Sequence, residues 1–134
     1  MATTRIEYLG DLRTKCIHEK SGVELITDAP TDNNGLGESF SPTDLIATAY
    51  GSCMLTIIGI YCKNNNIDFK FAHAEVLKVM GSGPRRVDKL IIQIDFSGND
   101  WDESTREKIV IAGENCPVAK SVNDSIQVEF TYQF

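Results

Sequence analysis

The amino-acid sequence predicts a single α+β domain that covers residues 1–134. Short segments of alternating apolar and polar residues, typical of strands, lie on both sides of one long uncharged segment, typical of a buried helix. A chain of 134 residues has room for one hydrophobic core. Its composition, 42% hydrophobic and 24% charged, is that of a globular protein and excludes disordered and fibrous classes.

The N-terminal part is predicted to contain three strands, at residues 6–9, 14–18 and 23–27. The Ser21-Gly22 pair is typical of a tight turn and predicts a hairpin between the second and third strands. Residues 28–39 are polar and contain glycine, which predicts a loop. Loops of this length in compact domains are typically functional, so we expect this loop to face a ligand.

A long helix is predicted to begin after Ser41, which is the expected N-cap residue. Pro42 suits the first helical position, and Asp44 lies three residues after the cap, as in a capping box. The helix should end near residues 61–63, because Lys63 and the asparagines after it are typical of a helix C-terminus.

Residues 45–62, within this helix, are also a candidate for crossing a membrane, because these 18 residues carry no charge. Threonine, serine and glycine residues interrupt the segment, however, and no basic cluster flanks either end. A helix that is hydrophobic on all sides is usually a core helix in a globular protein. We therefore expect a central buried helix and no membrane partner.

In the C-terminal half of the sequence, segments with the pattern of a strand alternate with segments with the pattern of a helix. Apolar alternation predicts strands, and an acidic first turn or a proline predicts helix starts. The expected elements are strands at 69–80, 87–96 and 126–134, a helix at 102–113, and a second short helix that begins at Pro117.

The charge balance argues against two classes of partner. The chain has 19 acidic and 13 basic side chains and a formal net charge of −6. It therefore has no basic patch of the kind that binds nucleic acid or anionic lipid. The first residues lack the apolar core of a signal peptide, which predicts a cytoplasmic protein. In a reducing compartment, cysteines are typically packing residues, metal ligands or reactive thiols.

Two of the four cysteines have unusual surroundings. Cys53 lies inside the apolar helix, directly after Gly51 and Ser52, small residues that let another element approach the sulfur. Cys116 precedes Pro117 and is expected at a helix N-cap, where backbone N–H groups favour a thiolate. For any single buried cysteine, simple packing is the alternative interpretation. The spacing alone does not show that the two sulfurs meet.

The other cysteine pairings are disfavoured. Cys53 and Cys62 are nine positions apart on one helix, which places them on opposite faces. They cannot form a disulfide unless the helix breaks. Cys16 and His18 share one face of a strand, but without a second such pair a metal site is not expected. His73 alternates with apolar residues and is interpreted as a structural residue of a sheet.

Taken together, these segments resemble the osmotically inducible protein C and organic hydroperoxide resistance (OsmC/Ohr) family. The resemblance covers essentially the whole chain. Its motifs are Gly35-Leu-Gly37, Ser41-Pro-Thr-Asp-Leu45, Ala47-Thr-Ala-Tyr-Gly-Ser-Cys53 and Cys116-Pro-Val118, in this order. No single motif is decisive, but one cysteine inside the apolar helix and another before Pro-Val make the set specific.

The resemblance implies an OsmC-like fold, with antiparallel sheets around the long helix, in an intertwined homodimer. It also implies a cysteine-based peroxidase of the oxidative stress response. Cys53 would be the nucleophile that attacks a hydroperoxide, and Cys116 would resolve the sulfenic acid to a disulfide. An external dithiol would restore the thiols without a cofactor. The apolar helix around Cys53 suits organic hydroperoxides.

The resemblance further implies an arginine near the nucleophile, because burial alone raises the pKa of a thiol. Arg13 is the best positional match, with Arg85 and Arg86 as weaker candidates. The family places a glutamate after the helix-start proline to hold this arginine, but this chain has Thr43 there. Glu38 in the loop is a candidate substitute.

We expect Thr43, Glu38 and Tyr50 to contribute to substrate binding. Three alternatives to a peroxidase stay open. The protein could be a dithiol redox protein without peroxidase turnover, because the glutamate is missing. It could be a non-catalytic dimer whose apolar groove binds a small hydrophobic ligand, with the cysteines as packing residues. Metal binding through cysteine and histidine is the third alternative, and we expect no metal.

Overall fold

The computed structural model describes all residues from Met1 to Phe134. Every predicted strand and helix is present, in the predicted order, and the α+β class is confirmed. The elements are β1 (Thr4–Gly10), β2 (Arg13–His18), β3 (Glu24–Asp28), α1 (Pro42–Asn64), β4 (His73–Gly81), β5 (Arg86–Asp95), α2 (Glu103–Glu114), α3 (Pro117–Ser121) and β6 (Gln127–Gln133).

The contacts within the chain group it into two compact units. The first unit covers Met1–Ile46 and contains β1 to β3, the loop after them and the start of α1. The second unit covers Ala47–Phe134 and contains the rest of α1 and all later elements. The expectation of a single domain stays a prediction.

The first unit is built on an antiparallel sheet in the order β1-β2-β3. The predicted turn at Ser21-Gly22 joins the last two strands. The backbone N–H of Gly22 donates to the carbonyl of His18 at 2.7 Å, and the N–H of His18 donates to the carbonyl of Val23 at 2.9 Å. The predicted hairpin is therefore confirmed.

Helix α1 begins with the predicted capping box. The hydroxyl of Ser41 accepts the backbone N–H of Asp44 at 3.1 Å, and the Asp44 carboxylate accepts the N–H of Ser41 at 2.9 Å. The helix continues to Asn64, one residue past the predicted range. Beyond its end, Asn66 adopts the left-handed conformation with φ 54°.

The second unit contains a sheet in the order β4-β5-β6. Strands β4 and β5 pair antiparallel, as expected, but β5 and β6 pair parallel. The expectation of antiparallel sheets therefore does not hold for this one pair. The physical reason is the long connection through α2 and α3, which crosses over and returns the chain in the same direction.

Helix α1 contributes one face to the core of the second unit. Its buried residues repeat every three or four positions, as on one side of a helix. They are Ala47, Tyr50, Gly51, Met54, Ile58 and Cys62. The sheet and α2 contribute Leu90, Ile92, Ile94 and Ile109, each no more than 1% exposed.

The opposite side of α1 is exposed in the single chain; Ile60, for example, is 50% exposed. The expectation of burial on all sides is therefore not met by one chain. Length and composition alone would allow α1 to cross a membrane, a test that core helices of soluble proteins also pass. The buried stripe along α1 is the pattern of a core helix.

The predicted strand at residues 69–80 begins only at His73. The side chain of Asn99 accepts the backbone N–H of Lys70 at 2.8 Å and donates to the carbonyl of Phe71 at 2.7 Å. These backbone groups are therefore hydrogen-bonded to a side chain and are not paired with a neighbouring strand. The prediction was wrong for the first four residues because the alternation pattern does not reveal a distant side-chain partner.

Replacing Ile58 on α1 with alanine should destabilise the protein, because this side chain is fully buried in the core. We expect the free energy of unfolding to fall by about 2–5 kcal/mol. The matched control is Ile111→Ala on α2, where the side chain is 61% exposed, and its effect should stay within about 0.5 kcal/mol. Urea unfolding at one protein concentration measures both, and equal losses would contradict the assigned core.

Candidate active site

The fold brings together the two cysteines that stand out in the sequence. Cys53 lies on α1 and Cys116 lies directly before α3, and both belong to the second unit. Cys53 acts on the Cys116 thiol and raises its pKa, which makes the two side chains neighbours. All four cysteines of the chain are free thiols. The pair is therefore a dithiol formed by two neighbouring side chains.

Small residues near Cys53 allow the close packing that the sequence predicts. A Cβ atom at Gly51 would lie 3.0 Å from Cγ2 of Val76 on β4. Strand β4 therefore packs directly against α1 two residues before the cysteine. A larger side chain at this position would push the strand away from the helix.

Cys116 occupies the predicted N-cap of α3. Pro117 is the first helical residue, and the Cys116 sulfur accepts the backbone N–H of Ala119 at 3.5 Å. The backbone N–H of Cys116 donates to the carbonyl of Gly113 at 3.2 Å, which anchors the turn to the end of α2. The predicted helix start is confirmed, and the cysteine is fully buried.

The surroundings of Cys116 keep its thiol protonated. Burial is the largest cause and raises its pKa, the N–H of Ala119 opposes this effect, and the neighbouring Cys53 raises the pKa further.

A tyrosine and a glutamate lie beside this dithiol. The hydroxyl of Tyr132 on β6 donates to Oε1 of Glu114 at 2.9 Å, and Glu114 is the last residue of α2. Burial, and then the hydrogen bond and charge of Glu114, raise the pKa of Tyr132 far above its ordinary value. The hydrogen bond from Tyr132 to Glu114 therefore ties α2 to the sheet two residues before Cys116.

Tyr50, predicted to bind substrate, is buried one helical turn before Cys53 and is only 4% exposed. Its ring packs near Phe130, with 6.4 Å between centroids. Burial raises its pKa, and electrostatic interactions with Cys116 and Glu114 add to the effect. Tyr50 thus lies close to the dithiol as a neutral phenol, and its role in binding stays a prediction.

A second group of candidate residues lies in the first unit, around Arg13. The guanidinium Nη2 of Arg13 is 3.3 Å from Oδ2 of Asp28 and 3.2 Å from Oε2 of Glu38. The Asp28 side chain is fully buried, whereas that of Glu38 is 60% exposed. The sequence analysis named Arg13 and Glu38 but missed Asp28, which is the last residue of a strand and carries no motif of its own.

The loop that presents Glu38 folds back on the end of β3. The N–H of Gly37 donates to the carbonyl of Ala29 at 3.2 Å. A Cβ atom at Gly35 would lie 1.7 Å from that same carbonyl oxygen, so only glycine fits there. The two glycines of the Gly-x-Gly motif therefore allow the loop to close and place Glu38 beside Arg13.

The remaining polar candidates have other local partners. The hydroxyl of Thr43 lies 3.3 Å from that of Ser41 at the start of α1. The guanidinium of Arg86 donates to the carbonyls of Ser82 and Pro84 at 3.1 and 3.0 Å, and so stabilises its own turn. Which arginine acts on Cys53 stays a prediction.

The structure also places the residues considered for metal binding. His18 is hydrogen-bonded to the Ser21 hydroxyl at 2.6 Å. Cys62 is buried on α1, and burial raises the pKa of its thiol. No group of three or more histidine, cysteine, aspartate or glutamate side chains has an arrangement that could hold a metal ion.

Comparison with known proteins places the chain in a family. A family model described as OsmC-like protein matches residues 35–131, which is more than half of the chain. The chain belongs to the OsmC-like protein family. The resemblance stated from its motifs is therefore confirmed. Comparison with curated protein sequences gives no match.

Solved structures support the assignment. This OsmC-like protein is 47% identical to a proposed osmotic stress induced and detoxification response protein from Psychrobacter arcticus 273-4, with a TM-score of 0.94 and coverage of 99% of this chain and 96% of that one. It has the fold of the organic hydroperoxide resistance protein OsmC from Legionella pneumophila, at 17% identity, TM-score 0.75 and coverage of 100% and 98%. It also has the fold of OhrB from Bacillus subtilis, at 16% identity, TM-score 0.69 and coverage of 98% for both chains.

The order in which the thiols react with iodoacetamide should follow their environments. Cys116 and Cys62 are buried and have raised pKa values, whereas Cys53 is only partly buried. Because the thiolate is the reactive form, Cys53 should be modified before Cys62 and Cys116, which should react only at higher pH. Peptide mass spectrometry measures the order, and unfolded protein, in which all cysteines react alike, is the control. Equal rates for Cys53 and Cys116 in the native protein would contradict this description.

Proposed function

We propose that this OsmC-like protein is a thiol-dependent peroxidase that reduces organic hydroperoxides with Cys53 and Cys116. The observation that carries the proposal is the close contact between Cys53 and Cys116 inside the second unit. Membership of a family with hydroperoxide resistance proteins among its structural relatives supports it. The same contact makes a purely structural role for both cysteines the weaker interpretation.

In the first step, the thiolate of Cys53 attacks the terminal oxygen of ROOH. The O–O bond breaks, a sulfur–oxygen bond forms, and the released alkoxide takes a proton to give ROH. Cys53 is the nucleophile in this proposal because Cys116 is fully buried and burial raises the pKa of its thiol, whereas Cys53 is only partly buried. Cys53 is left as a sulfenic acid.

In the second step, the Cys116 sulfur attacks the Cys53 sulfenic acid. A disulfide forms and hydroxide leaves, taking up the proton from Cys116 to give water. Because Cys116 is already a neighbour of Cys53, this step competes well with further oxidation of Cys53. An external dithiol then returns both thiols by disulfide exchange, and no cofactor is required.

Several parts of the proposal come from the family resemblance and the sequence. Arg13 would supply the positive charge that keeps Cys53 ionised, and Thr43, Glu38 and Tyr50 would help to bind substrate. The working form would be a homodimer, and the exposed apolar side of α1 supports this, since such surfaces are usually covered. The compartment would be the cytoplasm, where dithiol reductants are available.

A dithiol redox protein without peroxidase turnover is the second candidate. The observation that favours it is Thr43, which occupies the position where the resemblance implies a glutamate. This candidate keeps the Cys53–Cys116 disulfide but not the reaction with hydroperoxides. Diamide, which oxidises dithiols directly, would then form the disulfide where a hydroperoxide does not.

The peroxidase is tested by counting thiols after one equivalent of cumene hydroperoxide. Wild type should lose two thiols per peroxide and gain one Cys53–Cys116 disulfide, because each cycle oxidises both sulfurs. Cys53→Ser should lose no thiols, and Cys116→Ser should stop at a sulfenic acid on Cys53. Cys62→Ser, which removes a buried thiol outside the pair, is the matched control and should behave like wild type.

Each outcome of this titration selects one candidate. If wild type consumes no peroxide but diamide gives the disulfide, the protein is a dithiol redox protein. If neither oxidant gives the disulfide, the redox proposal fails and the ligand-binding alternative gains support.

A further inference from the structure

We infer that Tyr132 and Glu114 are the positioning pair for Cys116, because their hydrogen bond holds the turn that carries this cysteine beside Cys53. The inference rests on the proposed function and deepens it, since it concerns the step in which the disulfide forms. In that step the S–H bond of Cys116 and the S–O bond of the Cys53 sulfenic acid break, an S–S bond forms, and water leaves. The rate of this step depends on how closely the fold holds the two sulfurs.

The turn that carries Cys116 is anchored to the end of α2. Cys116 is fully buried, but none of the five residues of α3 is buried, so α3 is the weaker anchor. The backbone N–H of Asn115 donates to the carbonyl of Ala112 at 3.3 Å, and that of Cys116 donates to the carbonyl of Gly113 at 3.2 Å. The position of the cysteine therefore follows the position of the last turn of α2.

Helix α1 holds this last turn of α2 on one side. A Cβ atom at Gly113 would lie 2.9 Å from Cδ1 of Ile58 and 3.5 Å from Cε of Met54, so a side chain here would push against α1. Met54 directly follows Cys53 in the sequence. The glycine therefore sets how near the end of α2 approaches α1 beside the dithiol.

Strand β6 holds the same turn through a hydrogen bond. The hydroxyl of Tyr132 donates to Oε1 of Glu114 at 2.9 Å, two residues before Cys116. The packing of Gly113 limits how near α2 comes to α1, but it does not set the orientation of the turn. A hydrogen bond is directional and supplies this second constraint.

Tyr132 is a rigid anchor because other rings fix its own. It stacks with Phe130, with 6.2 Å between centroids and 7° between planes, and with Phe96, with 6.2 Å and 26°. The ring of Phe130 in turn lies 6.4 Å from that of Tyr50, which is on α1 one turn before Cys53. Aromatic packing thus connects α1 to β6, and the hydrogen bond connects β6 to the end of α2.

The electrostatic surroundings of Tyr50 agree with this arrangement. Burial is the largest cause of its raised pKa, and interactions with Cys116 and Glu114 both add to the effect. The carboxyl group that Tyr132 holds and the buried thiol therefore lie near the same phenol of α1.

The test is Tyr132→Phe, measured by the equilibrium of the Cys53–Cys116 disulfide with reduced and oxidised glutathione. This equilibrium gives the effective concentration of one thiol toward the other, which rises when the fold holds both sulfurs in the geometry of a disulfide. It should fall about tenfold, because phenylalanine keeps the ring but loses the hydroxyl that fixes the turn. With excess cumene hydroperoxide, the fraction of Cys53 oxidised beyond the sulfenic acid should rise about threefold, since the disulfide forms more slowly.

Substitutions of Glu114 separate the hydrogen bond from the charge. Glu114→Gln keeps an oxygen that accepts the Tyr132 hydroxyl, so the effective concentration should stay within about twofold of wild type. Glu114→Ala removes the acceptor and should cause the same fall of about tenfold as Tyr132→Phe. In the Glu114→Ala background, Tyr132→Phe should cause no further fall, because both residues act through one bond.

Asp102→Ala is the matched control for lost stability. The Asp102 side chain accepts the N–H of Thr105 at 2.8 Å at the other end of α2, so this variant also loses one hydrogen bond of the helix. The Tm should fall by about 2–6 °C in both Asp102→Ala and Tyr132→Phe. The effective concentration should fall only in Tyr132→Phe.

The glutathione equilibrium distinguishes a failure of this inference from a failure of the peroxidase, because it uses no hydroperoxide. If wild type forms the disulfide but consumes no peroxide, the proposed peroxidase fails, while a fall in Tyr132→Phe still supports the positioning role. A wild type that forms no disulfide overturns both.

Three further results would overturn the inference alone. The first is a wild-type effective concentration in Tyr132→Phe and Glu114→Ala, and the second is an equal fall in Asp102→Ala. The third is a fall in Glu114→Gln as large as that in Glu114→Ala, which would show that the charge acts and not the hydrogen bond. If Tyr132→Phe does not fold, Glu114→Ala decides by the same criteria.

Discussion

The chemistry proposed for this protein depends on one contact, that between the side chains of Cys53 and Cys116. The two residues are distant in the sequence and lie on different elements. The contact exists because α1 packs against the sheet of the second unit while the turn before α3 returns to the same place. Packing of apolar side chains therefore sets the distance on which a redox reaction depends.

Each candidate group combines an ionisable side chain with a fixed hydrogen-bond partner. Cys116 is held by the N–H of Ala119 and lies just after Glu114, which Tyr132 ties to the sheet. Arg13 is held by Asp28 at the end of a hairpin. In both cases a rigid element carries the supporting residue, so little motion is needed to keep the reactive group in place. The supporting residues are thus as informative about function as the reactive ones.

The local structure was largely predictable because its causes lie within a few residues of each other. The capping box of α1, the hairpin turn at Ser21-Gly22 and the cap at Cys116 are all recognised from neighbouring side chains. The errors have non-local causes. Asn99 takes the backbone of the segment before β4, and the crossover through α2 and α3 makes the β5–β6 pair parallel. The hydrophobic periodicity of a segment indicates which of its faces is apolar. It does not indicate which strand pairs with the segment or which distant side chain bonds to it.

By itself, the sequence determined the fold class, the family and the two cysteines that carry the proposed chemistry, because short motifs and hydrophobic periodicity are local properties. Only the tertiary structure decided that the two cysteines are neighbours and that Asp28 is the buried partner of Arg13. Both depend on which surfaces pack together and on which carboxylate is removed from water. Those are properties of the folded chain, since burial and distance are defined only after distant segments have come together.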